Sequence, residues 1–145
     1  MDRKEYNKKA INDIYKNAHI ALQSINDIMP SVENDELKKE LQNEYEGYEK
    51  FIGELSTYMA EIGIEPKDIN PVKKAFMWTS IKMKTIFDNS KTQIAEMMIK
   101  GTVMGITELT AMKNEAINLD EGVLEYLDKL LTLEESYEKE LKKYL

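Results

Sequence analysis

The sequence predicts an all-α fold, on the basis of three observations. Apolar residues recur at spacings of three and four over long stretches, which places them on one side of a helix. Short segments with proline, glycine or asparagine separate these stretches, and nothing shows the alternation typical of a strand. At 145 residues, of which 42% are apolar and 32% charged, the chain fits one domain, residues 1–145, with a buried core. We therefore expect a bundle of four main helices plus one short helix.

The first two helices are predicted over residues 4–29 and 34–63. The first ends at Pro30, because proline disfavours helical geometry in the preceding residue and lacks a backbone donor. The second follows Asn34, whose side chain can cap a helix, and ends at Gly63. The apolar stripes of these helices contain Ile11, Ile14, Tyr15, Ala18, Leu22, Ile25 and Met29, and then Leu37, Leu41, Tyr48, Phe51, Ile52, Leu55, Met59 and Ile62.

Three further helices complete the predicted bundle, over residues 71–88, 91–117 and 120–144. Asn70 and Pro71 begin the short third helix as its cap and its first residue. Asn89 and Ser90 offer a break and a new cap before the fourth helix, although one continuous helix also agrees with the pattern. The fourth helix is apolar nearly all round, which favours a central position. Asp120 caps the last helix.

Composition and charge exclude several classes of function. The net charge of −7 argues against nucleic-acid binding, which depends mainly on neutralising phosphates. The absence of cysteine excludes disulfides and thiol chemistry. No apolar run reaches the roughly 18–20 residues that span a bilayer. The charged N-terminal segment lacks the apolar core of a signal peptide, so the expected location is cytoplasmic.

The sequence contains no motif for catalysis. A phosphate-binding glycine loop, a nucleotide fingerprint and a calcium loop are all missing. The serines have no nucleophile motif around them, and a single histidine, His19, does not support a catalytic triad without one. We therefore predict no catalytic residue and favour a protein that is not an enzyme.

Three glutamates fall on the apolar stripes of three different helices: Glu44, Glu108 and Glu134. An ionised carboxylate that faces a core is costly unless it is paired, hydrogen-bonded or bound to a metal. These side chains either lie at the boundary with internal hydrogen bonds, or form a shared site for iron or manganese. His19, at the edge of the first stripe, is a boundary residue or a further ligand.

Two glycines, Gly101 and Gly105, interrupt the interior of the fourth helix. Each costs about 1 kcal/mol relative to alanine at such a position, so some gain should offset it. Close approach of another helix is the simplest explanation. The alternative is a pocket for a small ligand beside the two glycines.

A basic segment contrasts with the acidic remainder of the chain. From Pro66 to Lys91 there are six lysines and two aspartates, a local charge of +4. This segment contains Lys73, Lys74 and Trp78, which lies off the main stripe of the short helix. It forms either a solvated helix face with Trp78 buried against the first helix, or an interface for an acidic partner or a second copy of the chain.

In its order of segments the chain resembles the ferritin-like four-helix bundles, and in outline small bacterial members of that superfamily. The resemblance covers the helix pair up to Gly63, the link EIGIEPKDINPVKKAFMW, and the pair from Ser90 onward. It implies a left-handed bundle in which the additional short helix is the crossover between the two pairs.

Active members of that superfamily carry a Glu-x-x-His pair on each of two helices, and this chain carries none. The stripe glutamates and the residues three positions later are Glu44 with Gly47, Glu108 with Ala111, and Glu134 with Tyr137. The resemblance therefore implies the scaffold without the ligands for ferroxidase or oxygenase activity.

Three functional hypotheses follow from the sequence. The leading one is a non-enzymatic bundle without a cofactor that acts by association with itself or with a protein partner. The alternative is a carboxylate-rich iron or manganese protein with a redox or storage role. The third is a carrier of a small apolar ligand, which requires a cavity beside Gly101 and Gly105.

Overall fold

The computed structural model describes residues 2–66 and 90–145, and the regular structure within these ranges is entirely helical. The helices are α1 (Arg3–Ile28), α2 (Asp35–Glu61), α3 (Lys91–Asn114) and α4 (Glu121–Leu141). Single 3₁₀ turns follow α1 and α4, at Met29–Ser31 and Lys142–Tyr144. The prediction of an all-α chain is confirmed. The short helix predicted over 71–88 falls outside the described residues.

Local side-chain caps begin three of the helices. The backbone N–H groups of Glu5, Leu37 and Gln93 donate to Asp2, Asn34 and Ser90 at 2.9, 2.9 and 3.2 Å. Ser90 has an extended backbone (ψ 155°) and is the N-cap of the helix whose first residue is Lys91, so α3 begins at this point. Gly63, with φ +74°, follows the end of α2 in the left-handed region that glycine adopts most readily.

The Asn34 cap gives a direct stability prediction. Asn34→Ala removes the acceptor for the Leu37 N–H and is expected to lower the free energy of unfolding by about 1 kcal/mol. Asn34→Asp keeps an acceptor and should remain within a few tenths of a kcal/mol of the unmodified protein. Urea unfolding followed by circular dichroism measures both changes. Equal stability of the alanine and aspartate variants would contradict the role of the cap.

The start of α1 is fixed beside the connection between α3 and α4. The buried Asn7 side chain donates to the Asn118 carbonyl at 3.2 Å and accepts from the Asp120 N–H at 2.7 Å. Arg3 forms an ion pair with Asp120 at 2.8 Å. Tyr58, close to the end of α2, lies directly against Gly122 in the first turn of α4. One end of the bundle therefore holds the start of α1, the end of α2 and the α3–α4 connection.

The opposite end of the bundle holds the end of α4, whose Tyr144 hydroxyl donates to the Glu36 carbonyl at 3.3 Å. Since Glu36 is in the first turn of α2, α1 and α4 run in one direction and α2 runs back. The helix α3 also runs back, because it ends at the connection that Asn7 contacts. The chain between Glu61 and Lys91 thus joins two opposite ends of the bundle.

The core lies between the helix pairs α1–α2 and α3–α4. Across these pairs, α1 contacts both α3 and α4, and α2 contacts α4. In α1 and α2 the largest fully buried side chains, apart from Ile28, come from the predicted stripes; the full set is Ile11, Ile14, Ile25, Ile28, Leu37, Leu41, Leu55, Met59, Ile94, Leu109, Leu127 and Leu130. The predicted central position of α3 is wrong: Val103 is 41% and Met104 62% exposed, because one side of this helix faces outward. Within the described ranges, no helix is both long enough and apolar enough to cross a membrane.

Candidate functional site

A cavity of about 460 Å³ lies between α1 and α3 and reaches inward to α2 and α4. Part of its wall is apolar and is formed by Ile20, Ala21, Ile25, Met97 and Met98. The polar part includes Asn17, Glu44, Tyr48, Glu108 and Glu134. All four described helices therefore contribute to one concave site.

Missing side-chain volume on facing helices explains the cavity. Gly101 and Gly105 of α3 and Ala21 of α1 all line it. A Cβ placed on Gly101 would meet no atom within 4 Å, so the space beside this residue is open. The cavity is open to solvent on one side, since Gly101, Met104 and Glu108 in its lining are exposed.

Glu134 of α4 is one of two almost fully buried carboxyl groups of the site, with 1% of its surface exposed. The Tyr48 hydroxyl of α2 donates to its Oε2 at 3.2 Å. Its Oε1 is buried and has no hydrogen-bond partner among the described residues. Gly105 makes room for this oxygen, because a Cβ at that position would lie only 2.6 Å from Oε1.

Asn17 of α1 brings a second free oxygen to the same place, and only 7% of its surface is exposed. Its Nδ2 donates to the Gly105 carbonyl at 3.2 Å and to Glu108 at 3.4 Å. Because both partners are acceptors, the amide nitrogen must face them. Its Oδ1 has no partner in the described structure and would lie 3.3 Å from a Cβ on Gly105. Two acceptor oxygens thus converge beside Gly105.

Burial changes the protonation of Glu134. Removal from water disfavours the charged carboxylate and raises its pKa to about 8, with the nearby charge of Glu108 acting in the same direction. The hydrogen bond from Tyr48 opposes this effect. At pH 7 the carboxyl group of Glu134 is therefore mainly neutral.

Glu44 of α2 is equally buried, with 1% of its surface exposed. Burial raises its pKa to about 10, and a hydrogen bond with Glu40 adds to this shift. The proton that Glu44 retains can be donated to the Glu40 carboxylate, whose Oε2 is also buried and otherwise lacks a donor in the described ranges. Glu44 is therefore a neutral group at pH 7.

The structure brings Glu44, Glu108 and Glu134 to the same cavity, although their environments differ. Glu108 is exposed, contrary to its expected place on a core-facing stripe, because this side of α3 borders the open part of the cavity. His19 does not line the cavity; its ring lies 5.6 Å from that of Tyr15. In residues 2–66 and 90–145, no three acidic or histidine side chains are grouped in a way that could hold a metal ion.

The two glycines of α3 have different surroundings. Gly101 faces open cavity space and not a closely packed helix, whereas Gly105 is covered by the polar ends of Glu134 and Asn17. The proposed interface residues Lys73, Lys74 and Trp78 lie in the part of the chain that the structure does not describe, so their prediction stays a prediction.

Sequence reasoning missed Asn17, and it placed Tyr48 on the second apolar stripe without foreseeing the hydrogen bond that its hydroxyl donates to Glu134. A usable signal existed for Asn17, because it follows Ile14 by three positions and precedes Ala21 by four. This spacing places its amide on the apolar side of α1, where a polar group needs partners.

No protein family, curated protein or solved structure significantly matches this chain. Within the described residues, the fold and the site define a helical bundle with an open cavity that combines an apolar wall with buried oxygen atoms, some of which have no partner there.

Proposed function

We propose that this protein binds a small, largely apolar ligand in the cavity between α1 and α3, on a ferritin-like scaffold. The observation that carries this proposal is the cavity itself. Its volume of about 460 Å³ lies within the roughly 300–1,000 Å³ of typical small-molecule sites. Such sites combine apolar walls with a few well-placed polar groups, as this one does.

The ferritin-like scaffold is supported by the course of the helices. The helices α1 and α4 run in one direction, while α2 and α3 run in the other. Such a bundle needs a long connection between its second and third helices, since the end of α2 and the start of α3 lie at opposite ends of the bundle. One long crossover in a four-helix bundle is typical of ferritin-like folds.

Stability considerations also favour ligand binding over a purely structural role. Atoms that line an empty space lose dispersion contacts. The glycine at position 101 adds a helix-interior cost of about 1 kcal/mol relative to alanine. A larger residue at this position would remove the helix cost and fill part of the cavity, whereas glycine leaves this space open to a ligand. Met97 and Met98 can adapt to the shape of a ligand, because the methionine side chain is unbranched and flexible.

A matched pair of glycine substitutions tests this function. Gly101→Phe places a ring beside the cavity, whereas Gly53→Phe makes the same change in α2 at another position with no atom within 4 Å of a Cβ. We expect N-phenyl-1-naphthylamine, a neutral fluorescent probe of apolar sites, to bind the unmodified protein saturably. Gly101→Phe should weaken this binding at least about tenfold, which corresponds to about 1.4 kcal/mol.

Gly53→Phe should bind the probe as the unmodified protein does, since Gly53 does not line the cavity. Thermal unfolding confirms that both variants are folded. Saturable binding that Gly101→Phe leaves unchanged would place the probe elsewhere and contradict the proposal. The absence of any saturable binding would contradict it as well.

Two earlier hypotheses stay predictions. Association with a protein partner or a second copy depends on Lys73, Lys74 and Trp78, which the structure does not describe. An iron or manganese site depends on further ligands beside Glu44, Glu108 and Glu134, since no metal-binding group of three occurs within the described ranges.

A further inference from the structure

The polar part of the cavity has an excess of hydrogen-bond acceptors and acidic groups. Among the residues that the structure describes, its lining contains Asp13, Glu44, Glu108 and Glu134 against one basic residue, Lys16. The free oxygens of Glu134 and Asn17 are both buried and converge beside Gly105. When Glu134 is ionised, both oxygens are buried acceptors without a donor, which costs free energy, so a cation that supplies donors at this point gains affinity.

We infer that the ligand of this cavity carries a positively charged amine, which binds between Glu134 Oε1 and Asn17 Oδ1 beside Gly105. Its apolar part then lies along the wall formed by Ile20, Ile25 and Met98. This inference rests on the proposed function and specifies the chemical class of the ligand.

Donor chemistry distinguishes an amine from other polar head groups. An ammonium group offers several N–H donors and no acceptor, so it can satisfy both oxygens at once. An alcohol offers one donor and adds acceptor lone pairs to a place that already has too many. A carboxylate ligand offers no donor and meets like charge from Glu108 and Asp13.

Ionisation of Glu134 should accompany the binding of an amine. Without a cation beside it, the carboxyl group of Glu134 has a pKa of about 8 and is mainly neutral at pH 7. A nearby cation stabilises the carboxylate, so the ammonium takes the place of the bound proton, which is released to solvent. The titratable groups that face Glu134 are Tyr48 of α2, which donates to it, and Glu108 of α3. The cavity wall adds Asp13 and Lys16 of α1 and Glu44 of α2.

Three ligands with the same chain and different head groups test the inference: n-hexylamine, 1-hexanol and hexanoate. Each competes with the bound naphthylamine probe at pH 7. We expect hexylamine to bind at least about tenfold more tightly than hexanol. This difference in affinity is at the lower end of what a hydrogen bond to a charged group contributes. Hexanoate should be the weakest competitor.

Two isosteric variants on α4 test whether Glu134 is responsible for the preference for hexylamine over hexanol. Glu134→Gln should reduce the affinity for hexylamine to that for hexanol, because the negatively charged partner of the ammonium group is lost. The affinity for hexanol should be unchanged. Glu135→Gln, an exposed neighbour outside the cavity, should behave as the unmodified protein. Calorimetry in two buffers of different ionisation enthalpy should show release of about one proton with hexylamine, and none in Glu134→Gln.

The outcomes separate this inference from the function on which it rests. If probe and hexanol bind but hexylamine has no advantage in the unmodified protein, the amine is excluded and the cavity function stands. If neither the probe nor any hexyl ligand binds, the proposed function fails. A preference for hexylamine that persists in folded Glu134→Gln would overturn the assignment of the amine to this carboxylate. Because the series on the unmodified protein already decides the head group, it remains decisive even if Glu134→Gln does not fold.

Discussion

Glu44→Gln is expected to raise the free energy of unfolding at pH 8 by more than about 2 kcal/mol. The carboxyl group of Glu44 has a pKa of about 10 in the folded protein, against an ordinary value of 4.5. At pH values between these two pKa values, Glu44 loses its proton in the unfolded chain but keeps it in the folded protein. Folding therefore takes up a proton, and the free energy of unfolding falls as the pH rises, by at most about 1.4 kcal/mol per pH unit for one group.

A glutamine at position 44 removes this dependence. It is neutral at every pH, and its amide can donate to Glu40 as the protonated carboxyl group does. At pH 5 the stabilities of the variant and the unmodified protein should differ by less than about 1 kcal/mol, because this pH is only half a unit above the ordinary pKa of 4.5. Their difference should grow steadily up to pH 8.

Urea unfolding at pH 5, 6.5 and 8 measures the effect of the Glu44 substitution. The matched control is Glu49→Gln, an exposed glutamate on the same helix, for which no comparable gain is expected. The unmodified protein should lose stability over this range, and Glu134, whose pKa is about 8, adds a second contribution of the same sign. Equal stability of Glu44→Gln and the unmodified protein at pH 8 would show that Glu44 is not held neutral in the fold.

Gly47→Ala is expected to lower the free energy of unfolding by roughly 1–3 kcal/mol through overpacking. A Cβ at this position would overlap the hydroxyl oxygen of Tyr137 and lie 3.1 Å from its Cζ. The Tyr137 ring is buried and packs edge-on against Tyr48, with 5.3 Å between the ring centroids, so it has little room to move. The usual helix gain of about 0.5–1 kcal/mol from glycine to alanine is too small to offset this overlap.

Two further variants make the Gly47 prediction specific. Gly53→Ala, with open space around the new methyl group, should stabilise the same helix. The double variant Gly47→Ala/Tyr137→Phe should recover part of the loss, because the overlapping oxygen is gone. Chemical denaturation of all four proteins provides the measurement. Stabilisation by Gly47→Ala equal to that by Gly53→Ala would contradict the close packing.

The helix boundaries could be derived from the sequence because they depend on local chemistry. Asn34 caps α2 and Ser90 caps α3, and each uses only the neighbouring backbone. The end of α3 at Asn114 was placed too late, at 117, because the residues there form hydrogen-bonded turns. The exposed side of α3 could not be foreseen, since an apolar composition does not reveal how many neighbouring helices surround it.

The candidate site could be derived only in part. The stripe positions of Glu44 and Glu134 follow from helical periodicity, and both lie in the interior. A pocket beside Gly101 and Gly105 was one of the two alternatives that the sequence offered, but the size of the cavity could not be derived, because it depends on the separation of α1 and α3 and not on either helix alone. The free oxygen of Asn17 is equally inaccessible to sequence reasoning, since it arises from contacts with Gly105 and Glu108 across that separation.

The parallel course of α1 and α4 determines how the bundle would respond to a pulling force. The start of α1 and the end of α4 lie at opposite ends of the bundle, and the two helices are in contact along the core. Tension applied between these two points would load the helices along their axes, in shear. Their side-chain contacts would then have to separate together, whereas an antiparallel pair pulled from one end would open one turn at a time.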